Sequence, residues 1–87
     1  MRARDKIKKY IISVVRDIAN IEGEMSDEEI LATDYLGKGL IDSFQFIEMI
    51  TKLEDRFNIK FRAEDFESEE FRILLGVADI IKKRLSG

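Results

Sequence analysis

The residues Gly39-Leu40-Ile41-Asp42-Ser43-Phe44 place an acidic and a hydroxyl side chain where a loop gives way to the amphipathic run Gln45 to Phe57. A serine there stands at a helix N-terminus, where unpaired backbone N–H groups favour an anion such as a phosphodiester. The chain contains no cysteine and no histidine. A thiol for acyl chemistry would therefore have to come from a prosthetic group attached to the chain, and Ser43 is the candidate attachment point. An ordinary structural role is open as well, because either Asp42 or Ser43 can cap a helix.

Without histidine, Ser43 has no general base of the Ser-His-Asp kind. A Ser-Lys arrangement through Lys38 would need an enclosed substrate pocket, for which 87 residues are too few. The carboxylates follow neither an EF-hand nor a histidine-containing metal pattern. We assign no catalytic residue and no metal ligand, and expect a protein without catalytic activity of its own.

The net charge of −3 conceals a segregation. Residues 1–16 carry six basic and one acidic side chain, and residues 17–42 carry one basic and eight acidic. Residues 72–87 are again basic, with four cations against one anion. Lys6, Lys8, Lys9 and Arg16 lack the aromatic interleaving of a nucleic-acid surface and read as a solvated helix face. The acidic middle favours a basic protein partner. The polar opening Met-Arg-Ala-Arg-Asp-Lys does not fit a signal peptide, and no apolar run is long enough for a membrane span. A cytoplasmic monomer of one domain, residues 1–87, is the expectation.

The elements that must position Ser43 follow from periodicity. Ile7, Tyr10, Ile11, Val14, Val15, Ile18 and Ile21 recur at helical spacing and predict a first helix over about Arg4 to Asn20. Gly23 ends it. Ser26 and Glu29 have capping-box spacing and predict a short helical turn before Ile30 and Leu31. Residues 33–41 should form an ordered loop pinned by Tyr35, Leu36, Leu40 and Ile41. A second helix is predicted from Ser43 to Phe57, burying Phe46, Met49, Ile50, Leu53 and Phe57, with Asn58 as its stop. Ile59 and Phe61 can bury in the loop that follows. Ala63 to Phe66 can make one turn, and Ser68 to Phe71 a short third helix with a serine cap. Leu74, Val77, Ala78, Ile81 and Leu85 mark a last helix over about Leu75 to Leu85, with Gly76 blurring its start. The absence of proline supports a helical reading. The fold class is all-α: a small four-helix bundle with a long loop between helices 1 and 2 and a short third helix.

On the second helix, Phe44, Ile47 and Thr51 project away from the core stripe, beside Glu48, Glu54 and Asp55. Apolar groups ringed by carboxylates suit a docking surface. Two plainer readings stand beside it: Phe44 and Ile47 fold back under the preceding loop, or the carboxylates are a solvated face.

The stretch Leu36-Gly37-Lys38-Gly39-Leu40-Ile41-Asp42-Ser43-Phe44-Gln45-Phe46-Ile47-Glu48-Met49-Ile50, followed by Leu53-Glu54-Asp55-Arg56-Phe57-Asn58-Ile59, strongly resembles the acyl carrier protein family. Helix order and spacing extend the resemblance over nearly the whole chain. It implies a four-helix bundle carrying 4′-phosphopantetheine, transferred from coenzyme A by a phosphopantetheinyl transferase. The match places the attachment at Ser43 and gives Asp42 the role of presenting it, near the transferase's metal ion. It implies that Glu48, Glu54 and Asp55 meet basic patches on partner enzymes, with Phe44, Ile47 and Thr51 as apolar contacts. The function implied is to hold acyl intermediates as thioesters and present them to transferring or condensing enzymes of fatty-acid or specialised lipid and secondary metabolism.

The Asp-Ser-Phe form preceded by Gly-Leu-Ile is also similar to D-alanyl carrier proteins. That similarity implies an aminoacyl cargo loaded by an adenylating ligase. An alternative of another class is an unmodified helical adaptor that keeps only the carrier fold.

Overall fold

The computed structural model describes residues 3–19, 21 and 25–86. Among these residues five α-helices and a 3-10 helix succeed one another: α1 (Ala3–Ile18), α2 (Asp27–Ala32), α3 (Ser43–Phe57), α4 (Ala63–Glu67), the 3-10 helix (Glu69–Arg72) and α5 (Leu74–Ser86). The described residues contain no strand, only an isolated bridge between Asp34 and Ile73. The all-α bundle expected from the periodicity is therefore what the chain forms. The turn predicted over Ala63 to Phe66 is α4, and the short third helix predicted over Ser68 to Phe71 forms as the 3-10 helix. The expected first-helix end at Asn20 and the stop at Gly23 lie outside the described residues. Among those residues, no helix is long and apolar enough to cross a membrane.

α1 is the hub of the packing, in contact with α2, α3 and α5. A helix with three neighbours buries more than one stripe, so Ile12 joins Ile7, Ile11, Val14 and Val15 in the core. The same reasoning covers α5, which packs against α1, α2 and the 3-10 helix. There Ile80 is buried beside Leu74, Val77, Ala78 and Ile81, although its spacing puts it off the predicted stripe. Leu85 departs from expectation in the other direction and is 48% exposed. At 100° per residue it shares the face of Leu74 and Ala78, but it is the last residue but one of α5, where the helix runs past the buried core.

α2 starts with the predicted capping box: Ser26 Oγ accepts from Glu29 N–H at 3.2 Å, and Glu29 Oε1 accepts from Ser26 N–H at 3.3 Å. Ser68 behaves differently from its predicted capping role. Its hydroxyl donates to the Asp65 carbonyl at 2.7 Å, closing the end of α4 instead of opening the next turn. Asp65 itself is only 6% exposed. It accepts from Arg84 at 2.5 and 3.2 Å and from the Arg62 N–H at 2.8 Å, which joins the start of α4 to the end of α5. Burial alone would raise its pKa, but these hydrogen bonds and the two arginine charges outweigh it and hold the carboxyl below its ordinary value.

The loop leading into α3 is ordered around Tyr35, which is fully buried. Its hydroxyl donates to the Phe71 carbonyl in the 3-10 helix, and its ring stacks on Phe46 with centroids 6.1 Å apart. Burial, then the nearby Asp34 charge, raises the phenol pKa far above its ordinary value, so the hydroxyl remains a donor. The Tyr35 carbonyl accepts from Leu40 N–H at 2.9 Å and Ile41 N–H at 3.4 Å. Gly39 makes this return possible with a φ of 73°. Ile41 is buried and Leu40 partly so, as predicted. Leu36 is not: it is 45% exposed, because the adjacent Tyr35 takes the inward direction of the turn.

Gly76 shows how closely the last helix is approached. A Cβ at this position would lie 1.8 Å from the Glu70 carbonyl oxygen. The close contact outweighs the usual gain from replacing a helical glycine. Gly76→Ala is expected to lower stability by about 1–3 kcal/mol, read from urea unfolding. Unchanged or increased stability would contradict the packing of the 3-10 helix on α5.

Candidate functional site

The first turn of α3 is set by residues 42–45. Asp42 has extended backbone angles and is the N-cap. Its carboxylate Oδ1 accepts from Gln45 N–H at 2.8 Å, while Gln45 Oε1 accepts from Asp42 N–H at 2.9 Å. Asp42 thus performs the capping that the sequence left open between two residues. Ser43 is the first helical residue and is exposed, and its hydroxyl makes no hydrogen bond among the described residues.

The first helical bond runs from Phe46 N–H to the Asp42 carbonyl at 2.9 Å. The amides of Ser43 and Phe44 precede it and have no acceptor within the helix. Two free N–H groups, the positive end of a 15-residue helix dipole and an exposed hydroxyl therefore coincide. This place can accept a covalently bound phosphate group without rearrangement of the core.

The far end of α3 stops as predicted. Asn58 adopts the left-handed conformation at φ 54°, and its N–H donates to the Glu54 carbonyl. Met49, Ile50 and Leu53 are buried, with Phe46 and Phe57 packed at the margins. Phe57 meets Tyr10 edge to face at 5.6 Å, and Arg56 lies over the same Tyr10 ring at 5.5 Å.

On the opposite face Phe44 is 80% exposed and Ile47 65%. The alternative in which they fold beneath the loop is excluded. Glu48, Thr51 and Asp55 are exposed with them. The Thr51 hydroxyl donates to the Ile47 carbonyl at 3.0 Å, so the side chain offers a partner chiefly its methyl group. Glu54 stands apart from this set. Its Oε2 accepts from Phe61 N–H at 2.9 Å, its Oε1 lies 4.0 Å from Lys60 Nζ, and its side chain is largely covered. Glu54 therefore holds the loop after α3 and is less available to a partner than its charge alone suggested.

Gln45 escaped the sequence reading as a site residue. Its signal was present in the Asp-x-x-Gln spacing, a variant of the capping box. A groove of about 430 Å³ lined by Lys60, Arg62, Lys83 and their neighbours lies beyond Asn58. It is roughly a full helix length, about 22 Å, from Ser43. The candidate site is thus an exposed helix start with an apolar, acidic flank rather than a cavity.

The family model described as "phosphopantetheine attachment site" matches residues 9–74. The chain is similar to the D-alanyl carrier protein of Streptococcus suis strain 98HAH33, with 30% identity over 80 residues covering 86% of this chain and 95% of the relative. The D-alanyl carrier protein of strain 05ZYH33 is 29% identical over the same share of both chains. No solved structure gives a significant match.

Because Phe44 and Ile47 have no packing role, truncating both should leave the fold intact. The double variant Phe44→Ala, Ile47→Ala is expected to stay within about 0.5 kcal/mol of the parent in urea unfolding. A loss several times larger would mean that one of the side chains is covered in solution.

Proposed function

This chain belongs to the phosphopantetheine-attachment family, and we propose that Ser43 is the residue that bears the 4′-phosphopantetheine. The observation that carries this reading is the free, exposed Ser43 hydroxyl at the first position of α3, with the neighbouring Asp42 already engaged as the cap. A hydroxyl modified by another enzyme has to enter that enzyme's site, and this one can do so without exposing any core residue. The Ser43 and Phe44 amides and the positive end of the α3 dipole would hold the phosphate of the group. When attached, the group supplies a thiol on a flexible arm, the chemistry that a chain without cysteine lacks.

In this reading the protein domain supplies address and tether, and its partners supply catalysis. Phe44, Ile47 and Thr51 form the apolar contact, and Glu48 and Asp55 draw in a basic partner. Tethering makes each encounter of the cargo with a partner effectively intramolecular once the carrier surface is recognised. The partners are a phosphopantetheinyl transferase, a loading ligase and an enzyme that takes the cargo away. We place these reactions in the cytoplasm.

For the cargo we favour an aminoacyl group of the D-alanyl kind, loaded by an adenylating ligase, over a fatty-acyl chain. The similarity to D-alanyl carrier proteins and the Asp42-Ser43-Phe44 sequence support it. The packing is compatible, because the chain's own aromatic rings cluster around Phe46 and Phe71. Phe46 meets Tyr35, Phe66 and Phe71 at 5.9–6.1 Å, and Phe61 meets Phe71 at 5.3 Å. A small polar cargo has no need of an apolar compartment.

Incubation with coenzyme A and a broad-specificity transferase should add the mass of one 4′-phosphopantetheine to the parent, and Ser43→Ala should abolish the gain. A gain that persists in the variant would move the attachment elsewhere, and an inert parent would favour the adaptor alternative. The modified protein should then be charged by a D-alanine-activating ligase and ATP in preference to a fatty-acyl ligase; the reverse preference would overturn the cargo assignment.

The electrostatic part of the reading is tested separately. Glu48→Lys combined with Asp55→Lys is expected to slow modification roughly tenfold or more at low salt, with helicity unchanged by circular dichroism. Unaltered kinetics at low salt would remove these carboxylates from partner recognition.

A further inference from the structure

Gln45 uses both halves of its amide, and the halves reach in different directions. Its Oε1 accepts from the Asp42 N–H at 2.9 Å, closing the cap of α3. Its Nε2 donates to the Ile18 carbonyl at 2.8 Å, a contact that spans 27 residues of sequence. Ile18 is the last residue of α1, so its carbonyl belongs to the set that a helix end leaves without an internal partner. The contact is partly buried, which makes an unsatisfied carbonyl there more costly than one in water. The start of α3 is thereby fastened to the hub helix by a side chain two residues after Ser43.

We propose that Gln45 is a positioning residue for the modification of Ser43. This inference rests on the reading of Ser43 as the attachment point. The Asp42–Gln45 cap by itself keeps the first turn helical but leaves open where that turn sits relative to the rest of the bundle. The bond to Ile18 ties it directly to α1, in addition to the packing of Ile41 before it and Phe46 after it. A partner that docks on Phe44, Ile47 and Glu48 then meets the hydroxyl already in register with its own reacting groups. Small misplacements of a reacting atom are costly: about 1 Å can cost a hundredfold in rate.

Two substitutions separate the roles. Gln45→Glu retains an oxygen for the Asp42 N–H and places a favourable charge near the helix N-terminus, but it removes the donor to Ile18. Gln45→Ala removes both bonds. The measurements are steady-state modification by the transferase with coenzyme A, using the full chain, together with thermal unfolding. Gln45→Glu is expected to lower kcat about tenfold with KM for the carrier within about twofold and to lower Tm by less than Gln45→Ala does. Gln45→Ala should lower kcat at least as far and also lower Tm.

Parent-like kcat in Gln45→Glu would overturn the proposal. So would a rise in KM without a fall in kcat, which would make Gln45 a docking residue. Failure of the Ser43 reading is recognised independently, because the parent would then gain no mass or Ser43→Ala would still gain it.

Discussion

Everything at the functional end of the molecule depends on burying one phenol. Tyr35 lies in the connection of ten residues between α2 and α3, and it is the largest side chain that this segment buries completely. The ring goes into the core against Phe46, the hydroxyl takes the Phe71 carbonyl, and the backbone carbonyl takes the Leu40 and Ile41 amides. A neutral hydrogen bond of this kind adds only about 1 kcal/mol net, but leaving its buried acceptor unpaired costs about 1–3 kcal/mol. The loop is thus held by the penalty for releasing it as much as by the bonds themselves. Ile41, buried immediately before Asp42, sets the direction in which the chain enters α3.

Stability and recognition are carried by different residues. The core runs through α1 and α5, and its members make up the buried set from Ile7 to Ile81. The groups offered to partners sit on the outer face of α3 and contribute little to it. This division suits a protein that must be recognised by several enzymes in turn and released by each. A few exposed apolar side chains and two flanking carboxylates raise the encounter rate without making a tight interface. Glu54 marks the border: although it shares a helix with Glu48, the chain uses it to hold the Phe61 amide.

What the sequence revealed was whatever depends on periodicity and local capping. The three long helices, the Ser26 box and the Asn58 stop follow from rules that act within a few residues. So does the placement of Ser43 at a helix start, since Asp-Ser after Gly-Leu-Ile signals a loop ending. What remained hidden depended on how many neighbours each helix acquires. Ile12 and Ile80 are buried because α1 and α5 each have three partners, and no single-stripe reading contains that number. Leu36 and Leu85 depart the opposite way, since apolar character says neither which neighbour takes the inward position nor where a helix runs past the core. Gly76 looked like a weak point of a helix, whereas the Glu70 carbonyl pressing on it makes it a packing requirement. The long-range use of Gln45 could not be read at all, because its partner lies 27 residues away.

The separation of site from core has one consequence for how the site is kept in place. An exposed helix start that buries nothing is free to fray, because the first turn lacks the hydrogen bonds of the later ones. Packing cannot prevent this at Ser43 or Phe44, whose side chains face solvent. Besides the packing of Ile41 and Phe46 on either side, the restraint comes from polar bonds concentrated in Asp42 and Gln45. Asp42 supplies local order and Gln45 supplies reference to the rest of the fold. A glutamine suits the second task better than a charged residue, because one end must accept and the other must donate.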